Sequence, residues 1–343
     1  MNDKKKRPGL VLTVAAFLVI LAAIAVYTFV ARPWFLNWGA MGKDATRPLA
    51  GDDAWLGGVV TGTRGVSIGE LPETVWPWLV QIGQERAGFY SYTWLENLVL
   101  ADIHNVLEVR PEWQKRQEKD FVRAAKPGYL FGLVKEGKDA GPGWKVAMVE
   151  PDSALVLKNW GSFVLEPRFP GASRLLARSK GEPLPGPVGR LASFWLLDPA
   201  HVVMEKRMLT EIKRLAEGRP GPPWLLELLA VIGFAAAAVG SALIIASRKR
   251  KGFWLLLPGA YALLILVETS DARAALVGFT ALALAVLGIL VFKKRWWIFF
   301  GFMFIYCYAV LFLASDAFIV FGLVFLAAFG ALAALAAKGL ATR

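Results

Sequence analysis

Residues 198–216 read DPAHVVMEKRMLTEIKRLA, and the kind of domain this chain contains is decided there. Met208, Leu209, Ile212, Leu215 and Ala216 recur at the three-to-four-residue spacing that lines one stripe of an α-helix. Asp198 reads as the N-cap and Pro199 as the first helical residue, while residues 218–223 hold the Gly and Pro that stop the helix. A helix this long with one apolar stripe must bury it against another layer.

The segments before it supply that layer. Residues 144–149, 154–159, 160–166 and 173–179 are short runs rich in strand-forming side chains, and residues 129–135 read as a further strand. Turn chemistry separates them at 137–143, Pro151-Asp152 and Pro170-Gly171, and residues 180–189 read as a Pro/Gly loop before the helix. Further back, Val60, Val66 and Ile68 alternate with Thr61, Thr63 and Ser67, which predicts a strand over 59–68. Pro72-Glu73 opens a predicted helix over 73–82, with Val75, Leu79 and Ile82 on one face and Trp76 and Val80 adjoining. Residues 89–100 form a second short helical candidate dense in aromatics. The Pro-, Gly- and Trp-rich residues 32–53 have no clear period and are expected to lead from a membrane surface up to the domain. This order predicts an α+β domain in which a curved antiparallel sheet wraps round a long C-terminal helix and encloses apolar volume.

Several stretches also resemble a known family. They are Arg32-Pro33-Trp34 with Trp38-Gly39-Ala40, VWPWLVQIG at 75–83, GFYSYTWLEN at 88–97, Asp102-Ile103-His104-Asn105, and MEKRMLTEIK at 204–213. Together they make the chain similar to membrane-attached bacterial members of the SRPBCC superfamily, the START-like helix-grip domains of lipid-transfer proteins and polyketide cyclases. The resemblance covers nearly all of 32–217. It implies the helix-grip fold and a cavity for a hydrophobic or lipid-like small molecule, and it carries no shared catalytic motif and no cofactor.

Within the domain, residues 88–105 concentrate the side chains suited to a ligand pocket. Rings supply contact area and polar tips fix orientation. Phe89, Tyr90, Tyr92, Trp94, Asn97 and Asn105 come from this segment. Trp76, Trp113, Trp160 and Phe163 are expected to add wall, and Met204 and Met208 a soft surface on the long helix. The same residues also suit a packed core. Glu96 and His104 are the candidates for acid–base chemistry, serving as a catalytic pair if they face each other and otherwise as a structural hydrogen-bonded pair. A metal held by Glu96, His104 and His201 is chemically allowed, but two histidines about a hundred residues apart with no Cys/His zinc spacing make a weak motif. No metal is therefore expected. Lys206, Arg207, Lys213 and Arg214 are expected on a solvated face of the helix.

The flanks are far more apolar than this domain. Residues 9–31 form an uncharged run of 23 residues behind Lys4, Lys5, Lys6 and Arg7. That length is enough to cross a hydrocarbon core of about 30 Å. Five further runs follow at 224–246, 253–267, 274–292, 296–314 and 317–337, so residues 223–343 read as an all-α transmembrane bundle and the chain as a six-span protein. Threaded with both termini in the cytoplasm, the basic clusters at 248–251, 293–295 and 338–343 fall inside and domain 32–222 falls outside. Together with the resemblance, this places the protein in a bacterial plasma membrane as a multi-pass chain.

The net charge of +12 is a property of those flanks. Residues 32–222 hold 25 Lys and Arg against 22 Asp and Glu, leaving no basic footprint for nucleic acid. The single cysteine, Cys307, excludes an intramolecular disulfide. Three readings follow: a membrane-anchored binding domain for a hydrophobic small molecule, an accessory subunit for other membrane proteins, and a cyclase- or hydrolase-like enzyme on a hydrophobic substrate.

Overall fold

The computed structural model describes residues 27–221 except 41, 54–57 and 130–141, with residues 21, 25 and 228 besides. The chain divides into two units, residues 1–32 with 222–343, and residues 33–221. The second is described here. The predicted spans fall almost wholly outside the described residues, among which no helix is long and apolar enough to cross a membrane.

Residues 33–221 have an α+β fold built on one six-stranded antiparallel sheet. Its strands are β1 (Val59–Ile68), β2 (Phe121–Arg123), β3 (Gly143–Glu150), β4 (Ala154–Leu157), β5 (Gly161–Arg168) and β6 (Ala172–Gly181), in spatial order β1-β6-β5-β4-β3-β2. β2 to β6 form a meander, as short turns allow, and β1 adds to the far side of β6 with Val59 opposite Gly181 and Ile68 opposite Ser173. Five of the six strands coincide with predicted ones. The predicted strand at 129–135 lies outside the described residues from 130 onward, and the strand on that edge is the unforeseen β2. Three residues are too few to show a period.

The helices are α1 (Arg32–Leu36), α2 (Lys43–Thr46), α3 (Pro72–Val80), α4 (Thr93–Leu98), α5 (Gly186–Ala192) and α6 (Asp198–Ala216). Two expectations about them are corrected. The second helical candidate is helical only from Thr93, because Gly88 (φ 72) and Tyr90 (φ 54) hold the chain before it in left-handed conformations that no helix contains. Asp198 is not an N-cap, and 186–189 are not loop. Helical backbone begins at Gly186 and passes through a π-turn over Ser193–Leu197 into α6, with Asp198 at φ −58 and ψ −51. A proline inside a helix has no N–H for the carbonyl four residues back and crowds it. A widened π-turn stands immediately before Pro199.

The sheet is covered on both faces. On one, Leu155, Leu157, Phe163, Leu165, Leu175 and Ala177 join Val75, Leu79 and Ile82 from the α3 region and Met208, Leu209 and Ile212 from α6 in the main core. On the other, Val164 and Leu176 pack with Ala40 and Leu49. Residues 33–53 are therefore part of the domain, not a riser leading to it. Arg178 pins them to the sheet by donating to the Arg47 carbonyl (2.8 Å) and the Asp52 carboxylate (2.6 Å), and Arg174 donates to Asp44 (3.0 Å). Gly39 (φ +70) makes the crossing round β1 feasible, since a Cβ there would lie 2.0 Å from the Gly65 carbonyl oxygen. Two-sided burial also explains why β4 reads as the unbroken apolar run ALVL.

Candidate functional site

The aromatic segment after α3 owes its shape to three clamps. Gly83 and Gly88 exchange backbone hydrogen bonds of 2.8 and 2.9 Å and close a tight loop. Asn105 accepts from the Tyr90 N–H (2.8 Å) and donates to the Ser91 carbonyl (2.7 Å) and the Thr93 hydroxyl (3.1 Å). Asn97 bonds both the N–H and the carbonyl of Ile103 at 2.9 Å. Both asparagines thus spend their polar atoms on the backbone. We expect Asn105→Ala to cost about 2 kcal/mol by leaving those partners unpaired. Faster amide exchange at Tyr90 than at β-sheet positions would check it, and unchanged exchange there would refute it.

So held, the segment meets α6. The Ser91 hydroxyl donates to the Met204 sulfur (3.4 Å), and the Arg207 guanidinium lies 5.2 Å from the centre of the Tyr92 ring. Tyr92 is the N-cap of α4, and Glu96 lies in its first turn. Glu96 is 4 % exposed, and among the described residues neither of its carboxyl oxygens finds a hydrogen-bond donor. Burial alone pushes its pKa up to about 7. His104 does not answer it: that side chain is largely exposed and pairs with Asp102 at 3.2 Å. The predicted Glu96–His104 pair is absent, because left-handed residues at Leu100 and Asp102 turn the chain outward between them.

A second polar group lies on the same face of the sheet. Glu205 of α6 forms a buried ion pair with Arg64 of β1 and accepts from the Trp160 indole N–H at 3.2 Å. Arg64 also donates to the Ser179 hydroxyl and to the Leu36 carbonyl (3.1 Å). Although burial opposes ionisation of Glu205, Arg64, His201 and Trp160 together hold its pKa below the usual carboxylate range. His201 stands 3.7 Å from the Glu205 carboxylate. Among the described residues, no group of three or more His, Cys, Asp or Glu is gathered as a metal site would require.

The predicted pocket residues divide by depth. Trp76, Phe89, Tyr90, Trp160, Phe163 and Met208 belong to the main core, where Phe89, Trp144 and Trp160 contact one another ring to ring and the Tyr90 hydroxyl meets the Gln81 amide at 2.6 Å. Burial drives the Tyr90 phenol well above its ordinary pKa. Trp113 packs on the margin of that core, and Tyr92, Trp94 and Met204 belong to the α4–α6 seam. Sequence reasoning passed over Arg64, Gln81 and Glu205. The usable signal was a charged residue at an inward position of an otherwise alternating strand. Lys206 and Arg207, expected in solvent, are 1 % and 8 % exposed, with the Lys206 ammonium 4.4 Å from the centre of the Trp38 ring. Residues 33–53 cover a helix face that periodicity alone assigns to water. Compared with family models, with curated proteins and with solved structures, the chain matches none.

Proposed function

We propose that residues 33–221 form a START-like helix-grip domain, tethered to a membrane, that captures a hydrophobic or lipid-like small molecule bearing a hydrogen-bond donor. The element order and the long helix laid on an antiparallel sheet support this reading, as do the hydrophobic runs that flank the domain. One observation carries it: the Glu96 carboxyl, buried in the first turn of α4 within the aromatic segment, has no hydrogen-bond partner among the described residues. A buried carboxyl without a hydrogen bond is costly and rare in folded interiors. A hydroxyl or amine donated by an apolar ligand would complete it.

The test is to purify the full chain in lipid nanodiscs and identify co-released small molecules by native mass spectrometry. Wild-type protein should release a bound amphiphile, and Glu96→Leu should retain at most about a tenth as much, as expected for one lost hydrogen bond to a carboxyl. A wild-type domain that is consistently empty, or equal occupancy in the variant, would overturn the reading.

A second reading is favoured by the same carboxyl's pKa near 7, which suits a general acid or base. On a cyclase- or hydrolase-like reading, Glu96→Gln would keep the bound molecule and lose its turnover.

A further inference from the structure

A different part of the domain presents an apolar face to solvent. Leu184, Val188, Leu191 and Trp195 are 47, 79, 59 and 37 % exposed. From Val188 onward they sit in continuous helix, and spacings of three and four residues place Val188, Leu191 and Trp195 on one stripe, with Leu184 in the loop just before it. Val59 and Val60, 70 and 43 % exposed, lie beside the end of β6, from which the chain runs on to Leu184.

We propose that this stripe is an interfacial helix seated in the headgroup region of a lipid bilayer. Three observations choose lipid over other occupants. First, the domain begins at Pro33, directly after the apolar run 9–31, and ends at Gly221, three residues before the run 224–246. Second, those connections meet the domain at opposite ends of one strand. Leu36 lies against Gly62, whereas Glu217 accepts from the Gly69 N–H at 2.7 Å. Seven residues of strand separate the two points by about 23 Å. Two attachment points that far apart hold the domain beside lipid more closely than one would. Third, the stripe is too small for a second copy. A stable dimer buries about 800 Å² on each partner, and the apolar surface here is one helical stripe with Val59 and Val60 beside it. Two covalent tethers remove the need for a large area, since they hold the face at high local concentration next to lipid. The composition agrees, with leucine and valine along the stripe, a tryptophan at one end and the exposed Arg190 on the adjoining face.

This inference rests on residues 9–31 and 224–246 crossing the bilayer, so the experiment carries its own control. The full chain is reconstituted in vesicles of phosphatidylethanolamine and phosphatidylglycerol, with a nitroxide, in a Cys307→Ser background, on Leu18→Cys, Ala235→Cys, Val188→Cys, Leu191→Cys or Lys115→Cys. Collisions with oxygen and with a water-soluble nickel chelate are compared. Labels at 188 and 191 should meet the chelate about tenfold less often than the label at 115, and labels at 18 and 235 should be shielded as well. Water-like access at 188 and 191 with 18 and 235 shielded would overturn the seated stripe alone. Water-like access at 18 or 235 would overturn the spans and the stripe with them. Spin–spin broadening at 188 would reveal a second copy on the face and equally refute the lipid assignment. Thermal melts matching wild type confirm that the surface variants are folded.

Discussion

Arg64→Ala should lower the stability of the domain by about 3–5 kcal/mol, because it strands the Glu205 carboxylate in the interior. Both side chains are essentially inaccessible, and burial is the largest influence opposing ionisation of Glu205. With the guanidinium gone, Glu205 keeps the Trp160 indole N–H, a long hydrogen bond from the Ser179 hydroxyl (3.5 Å) and the approach of His201. Ser179 and the Leu36 carbonyl lose a partner at the same time. In a domain of this size the loss corresponds to about 10 °C in Tm. Tryptophan emission is a suitable readout, since Trp160 touches the pair directly. The comparison that isolates the cause is Arg64→Met combined with Glu205→Leu. Replacing both partners with apolar groups removes the stranded charge, so the double variant should recover most of the stability lost by the single one. A single-variant loss below about 1 kcal/mol would show that the pair does not hold α6 to β1.

The second large effect is a pH dependence. The Glu96 carboxyl keeps its proton up to about pH 7 in the folded domain, whereas an unfolded glutamate releases it near 4.5. Between those values the native state binds more protons than the unfolded state, so raising the pH favours unfolding. The favourable contribution is complete below pH 4.5 and is lost as the pH passes through 7. The difference across that window is about 3 kcal/mol. Glu96→Gln has no proton to lose there. It should match wild type at pH 4.5 and exceed it in stability at pH 8, and subtracting the two profiles removes every other titrating group. Parallel profiles would show that the carboxyl is solvated or paired in solution. A bound amphiphile with a donor should flatten the wild-type profile in the same way, which links this measurement to the proposed capture role.

Wherever periodicity had enough residues to act on, the fold was legible before the structure. The alternation over 59–68 marked β1 to the residue, and the apolar stripe of α6 was found from Met208 to Ala216, though not the buried Val202 and Val203. The failures share one cause. Asp198-Pro199 carries the chemistry of a helix start, yet a π-turn lets the helix run through it. Residues 89–92 have a helix-compatible composition, but the Asn105 clamp and the left-handed Tyr90 hold them in a loop. The candidate site shows the same division. The crowding of aromatics at 88–97 pointed to the segment that carries Glu96, but whether Glu96 has a partner depends on neighbours far away in the chain.

By itself, the sequence determined the α+β class, the antiparallel order of most of the sheet, the long helix and the apolar runs on either side. Each of these follows from local periodicity and turn chemistry, which a chain expresses wherever it is placed. Only the tertiary structure decided which charges are buried. Arg64 meets Glu205 across 141 residues, residues 33–53 cover Lys206, and Glu96 is shut away alone. Burial is set by what packs on top of a residue, and no short-range pattern records that.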